Sequence, residues 1–103
     1  MILRRWSALI RTADEDAYRA YFEMTGAADY GSTPGNLGYQ LLFRALGDDV
    51  SEITTLSWWR AMDDITAFAG EPVDRARYYP EDDRFLLTKP ETVEHHRVIT
   101  RSG

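Results

Sequence analysis

The feature that most constrains this chain is a switch of hydrophobic period between residues 53 and 70. Ile53, Thr55, Ser57 and Trp59 alternate as in a strand, and then Met62, Ile65, Phe68 and Ala69 repeat at helical spacing. A strand that runs straight into an amphipathic helix lays that helix back over its own sheet, so a pocket is expected beneath the two. Gly70 is placed to end the helix. Pro72 suits the first turn of a further short helix carrying Val73, Ala76 and Tyr79.

The rest of the chain is consistent with a sheet under helices. Ile2, Trp6, Ala8 and Ile10 share one side of a first strand. Thr12 and Glu15 have capping-box spacing ahead of a helix whose stripe is Tyr18, Tyr21, Phe22 and Thr25, with Gly26 as its stop. Residues 29–38, with Pro34-Gly35 at their centre, are expected to form a connecting loop long enough to act as a gate. A second strand carries Tyr39, Leu41 and Phe43, and Gly47-Asp48-Asp49 turns it into the third as a hairpin. Phe85-Leu86-Leu87 is expected to be extended, and residues 92–100 form the fourth strand.

This order is the βαββαβ arrangement of a ferredoxin-like α+β fold with a four-stranded antiparallel sheet, one domain over residues 1–103. Its helices cover one face only. Because apolar residues occur on both sides of the strands, a second copy of the chain is expected to cover the other, giving a homodimer through the sheet faces.

Composition narrows the function classes. The net charge of −5 disfavours nucleic acid and anionic membrane surfaces as partners. No run approaches the length of a membrane span, and a cytoplasmic protein is expected. The chain has no cysteine, and its two histidines, His95 and His96, lack metal-site spacing, so no metal site is expected.

Pro34-Gly35-Asn36-Leu37-Gly38, Trp59, Ile65-Thr66-Ala67-Phe68-Ala69-Gly70, Ala76-Arg77-Tyr78-Tyr79-Pro80-Glu81-Asp82, Phe85-Leu86-Leu87 and Val93-Glu94-His95-His96-Arg97-Val98 together resemble the antibiotic-biosynthesis monooxygenase-like proteins, in particular their small stand-alone members. The resemblance implies a dimeric α+β barrel with a cleft between sheet and helices in each subunit. It also implies one of three activities: cofactor-free oxygenation of phenols or quinols, haem breakdown, or other chemistry on small metabolites. The haem-degrading branch uses an asparagine, a tryptophan and a histidine. Here Phe68 and Tyr78 stand at the last two positions and residues 2–11 contain no asparagine, so no cofactor is expected and haem is disfavoured, with a Tyr78 tyrosinate the one candidate ligand for its iron. The family's serine at the cap of the second helix is Ala61 in this chain.

Cofactor-free oxygenation needs a base, an apolar aromatic cavity and donors for a developing oxyanion. His95 is the candidate base and Tyr78 a second catalytic candidate. Trp6, Trp59 and Tyr79 could donate hydrogen bonds, while Tyr18, Phe22 and Phe68 could wall a flat ring. Each also has an ordinary structural role open to it. His95 and His96 alternate along one strand, so at most one faces the cleft. The expected function is a monooxygenase acting on a small hydroxylated aromatic or quinol. The alternative is a barrel protein that binds a small apolar or aromatic ligand without turning it over.

Overall fold

The structure is a computed structural model that describes residues 1–102. Strands β1 (Ile2–Arg11), β2 (Asn36–Gly47), β3 (Val50–Trp59) and β4 (Glu94–Arg97) form one antiparallel sheet in the order β2-β3-β1-β4. Helices α1 (Glu15–Met24), α2 (Gly26–Ser32) and α3 (Met62–Ala69) complete the ferredoxin-like α+β fold. The β2–β3 hairpin closes through Asp48 and Asp49, both at positive φ, after Gly47 at φ 101°. Two left-handed residues in a row make a turn whose twist matches that of the strands it joins.

The core lies between the sheet and the helices. Ala8 and Ile10 from β1, Ile53 and Trp59 from β3, and Tyr18, Tyr21, Phe22 and Ile65 from the helices are all buried there. The opposite face carries Leu3, Leu9, Leu42, Leu56 and Trp58, interspersed with the pairs Arg5–Glu94 and Arg44–Glu52. Leu42 is 43 % exposed on that face.

Several sequence expectations need correction. Gly26 does not stop the helical segment. It opens α2 after a one-residue break at Thr25, and a Cβ there would come within 3.0 Å of the Phe22 ring, so close approach explains the glycine. The expected ten-residue loop accordingly shrinks to Thr33–Gly35, because burial of Tyr30 outweighs the weak local signal for α2. The capping box does not form: the Thr12 hydroxyl bonds Ser51 Oγ at 2.6 Å, while Asp49 Oδ1 accepts from the Ala13 N–H at 3.3 Å.

No helix forms after Pro72. Ala76 N–H donates to Glu91 O, and Val93 N–H to Asp74 O, so residues 72–79 run beside 91–93 instead of bonding within a helix. Residues 82–84 make a 3-10 turn, and of Phe85-Leu86-Leu87 only the last continues the sheet, its N–H meeting Leu9 O. That bond, with the Leu9 N–H donated to Thr88 Oγ1, covers the edge of β1 that the four-residue β4 leaves free. β4 is therefore shorter than the expected span 92–100.

Tyr30 ties α2 to this core. Its ring lies 4.9 Å from Phe68, 5.5 Å from Tyr39 and 6.1 Å from Trp59, centroid to centroid. Tyr30→Ala is expected to cost about 3–5 kcal/mol, the range for deleting a buried aromatic, read as a lower urea midpoint at unchanged slope. A loss below about 1 kcal/mol would show that α2 is held by other contacts.

Candidate functional site

A cavity of about 50 Å³ lies between the sheet and the helices. Tyr18 and Phe22 from α1, Thr25 and Gly26 at the α1–α2 junction, and Tyr30 from α2 form one wall. Arg4, Trp6 and Thr55 on the sheet, with Phe68, Arg77, Tyr79, Asp82 and Val93, complete it. Of the residues expected at a site, Trp6, Tyr18, Phe22, Phe68 and Tyr79 meet here. Trp59, His95 and Tyr78 do not line it.

The three that stand back each have a definite place. Trp59 is fully buried behind Phe68, its centroid 5.4 Å away, and its indole N–H is spent on Ser57 Oγ at 2.8 Å. The Tyr78 hydroxyl accepts from Trp6 Nε1 at 3.2 Å and donates to the carbonyl of Pro90, so it fixes the Trp6 ring that does line the cavity. Burial raises the Tyr78 pKa.

His95 is adjacent to Arg4 on the helix-covered face of the sheet. Arg4 Nη1 lies 3.0 Å from His95 Nε2, and because a guanidinium only donates, that nitrogen must be the acceptor. The proton then sits on Nδ1 and is donated to Asp74 Oδ1 at 2.8 Å. Both ring nitrogens are occupied and the imidazole is neutral. Burial pushes its pKa below the ordinary value, and the neighbouring Arg4 charge works in the same direction.

Residues that were not anticipated supply most of the polar character of the cavity. Arg4 is 4 % exposed and donates to the carbonyls of Val73 at 2.8 Å and Arg75 at 3.1 Å. Arg77 pairs with Asp29 at 2.9 Å, donates to Phe68 O at the end of α3, and stacks over the Phe68 ring at 4.9 Å. Tyr79 also donates its hydroxyl to Asp29 Oδ2.

Asp82 is 5 % exposed, and its Oδ2 accepts the Tyr79 N–H at 2.7 Å. Its neighbours Glu81 and Asp83 are both exposed. Burial raises the Tyr18 and Tyr21 pKa values, and the carboxylate of Asp82 adds to both, so these phenols stay protonated beside it. A signal for Arg4 existed in the sequence. It falls in register with Trp6, Ala8 and Ile10, and a charge in the buried register of a strand calls for partners. Asp82 carried no such signal, because its burial depends on the 3-10 turn.

His95 is expected to titrate below 6.5 by NMR. The unfolded chain then binds a proton at pH values where the folded imidazole does not. Its contribution to stability is complete above 6.5 and is lost as pH falls from there through the depressed folded value. A midpoint at or above 6.5 would contradict the neutral Arg4–His95 pair.

Among the described residues no group of three His, Asp or Glu side chains is placed to hold a metal ion, and no helix is long and apolar enough to cross a membrane. No protein-family model and no curated protein sequence matches the chain. Solved structures do. The haem degrader MhuD from Mycobacterium tuberculosis, with two haems bound in its active site, is 18 % identical over all of both chains at a TM-score of 0.64. An antibiotic-biosynthesis-monooxygenase-type protein from Nitrosomonas europaea is 14 % identical over 97 % of this chain and 100 % of its own, at 0.66. SnoaB, a cofactor-independent oxygenase from Streptomyces nogalater, is 19 % identical over 99 % of this chain and 92 % of its own, at 0.52. The chain therefore has the fold of the antibiotic-biosynthesis monooxygenase-like proteins.

Proposed function

We propose that the chain is a cofactor-free monooxygenase acting on a single-ring hydroxylated aromatic or quinol bound between the sheet and the helices. The observation that carries this reading is the buried carboxylate of Asp82 in the wall of an aromatic cavity. A base that takes the phenolic proton leaves an electron-rich ring able to react with dioxygen. Asp82 fits that role better than His95, whose two nitrogens are already engaged. His95 and Tyr78 enter at one remove, the first by holding Arg4 and the second by holding Trp6.

The reaction balances without an external reductant: a hydroquinone and dioxygen give a hydroxyquinone and water, the substrate supplying the electrons. Haem is left out of this reading. Phe68 and Tyr78 stand where the haem-degrading branch has tryptophan and histidine, the Tyr78 hydroxyl is turned to Pro90, and about 50 Å³ lies far below the several hundred Å³ of ordinary ligand pockets. The engagement of both His95 nitrogens favours a second reading, a protein that binds a small ring without turnover. For either, Phe68 or Tyr30 must turn aside to admit a substituted ring.

The test is oxygen uptake by metal-free protein against hydroquinones and anthrones, with heat-unfolded protein as the blank. Uptake that needs the fold, with hydroxyquinone and no hydrogen peroxide as product, is expected for hydroquinone. Asp82→Asn, which keeps an acceptor for the Tyr79 N–H, is expected to lower turnover about 100-fold or more. No uptake across the panel would leave the binding reading.

The open sheet face, with Leu3, Leu9, Leu42, Leu56 and Trp58, supports a homodimer packed face to face. A dimeric mass is expected by light scattering at micromolar concentration, and a monomeric mass would rule the pairing out.

A further inference from the structure

Arg4 lines the cavity, and the oxygenase reading names nothing that its charge meets there. It is 96 % buried by its 4 % exposure, yet no ion pair among the described residues includes it. Its partners are the carbonyls of Val73 and Arg75 and the Nε2 acceptor of a neutral imidazole. A buried charge matched only by neutral acceptors is costly, and proteins ordinarily pair it with a carboxylate. Burial pulls the Arg4 pKa down and Arg77 adds to that, opposed by Tyr30 and, from behind His95, by Asp74. Arg77, by contrast, already has Asp29. The guanidinium of Arg4 carries more N–H groups than its three acceptors use, and it lines the cavity.

The geometry points to Arg4 as the counter-charge for an anionic oxygen of the ligand, a single aromatic ring with a carboxylate or phenolate oxygen at Arg4 and a hydroxyl at Asp82. This rests on the proposed use of the cavity as the substrate site. The rest of the wall fits it. Phe68 lies under both guanidiniums, 4.9 Å from that of Arg77 and 5.7 Å from that of Arg4, and Trp6, Tyr18 and Phe22 complete the aromatic wall around it. No ion pair joins Arg4 to Asp82, so neither charge is cancelled by the other at contact. His95 is a positioning residue here, because a neutral Nε2 orients the guanidinium and a protonated one would repel it.

The experiment is calorimetric titration of the metal-free wild-type protein with 4-hydroxybenzoate, benzoate and 4-hydroxybenzyl alcohol. The last keeps the ring and hydroxyl of the first but has no charge. 4-Hydroxybenzoate is expected to bind at least about tenfold more tightly than the alcohol, as a charge-assisted hydrogen bond requires. Its binding is also expected to raise the His95 pKa by NMR, since an anion beside Arg4 offsets the charge that depresses it. Arg4→Gln is expected to abolish the preference; if that variant does not fold, the wild-type comparison decides alone. Equal affinity for acid and alcohol, or no binding of any of the three, overturns the assignment. Oxygen uptake separates the two ideas. Uptake without an anion preference removes the role of Arg4 only, and a preference without uptake removes the oxygenase and leaves the anion site.

Discussion

A buried guanidinium has to find acceptors, and much of this site is arranged by where Arg4 finds them. Its side chain leaves β1 on the covered face, among Trp6, Ala8 and Ile10, where little of it meets bulk water. Val73 O and Arg75 O come from a segment that is tied by its Ala76 N–H to Glu91 O, and the third acceptor comes from β4. One charge thus joins the sheet centre, its edge strand and the irregular connection after α3. A helix over residues 72–79 would direct those carbonyls to its own N–H groups. The extended path leaves them free for Arg4.

The same connection carries Arg77, Tyr79 and Asp82 into the cavity wall. Arg77 closes the end of α3 through Phe68 O and reaches α2 through Asp29, so two helices and the connection meet at one side chain. The wall is therefore polarised. Arg4 and Arg77 flank Phe68, and Asp82 sits among phenols whose pKa values are raised. That division is what chemistry on a hydroxylated ring needs, with a proton acceptor in one place and charge stabilisation in another. Neither histidine has to supply it.

Architecture was legible in the sequence because it rests on period. Alternation in β1, β2 and β3, the switch into α3 after Trp59, and the Gly47-Asp48-Asp49 turn are local patterns that burial of one face enforces. The aromatic wall followed for the same reason, since Tyr18, Phe22 and Phe68 lie on helical stripes. α2 was not legible. Gly26-Ala27-Ala28-Asp29-Tyr30-Gly31-Ser32 has two glycines and little propensity, and it becomes a helix because Tyr30 gains the faces of Phe68, Tyr39 and Trp59.

By itself, then, the sequence determined the strand order's raw material, the helix-covered face and the set of aromatic residues available to line a cleft. Only the tertiary structure decided which polar side chains face the cavity. His95 was the sequence's natural base, yet the fold pairs it with Arg4 and Asp74, and it buries Asp82 between the exposed Glu81 and Asp83. The physical reason is that periodicity reports which face of an element is buried. The partner of a buried charge is set by contacts between residues as far apart as Arg4, Val73 and His95, and no local pattern encodes them.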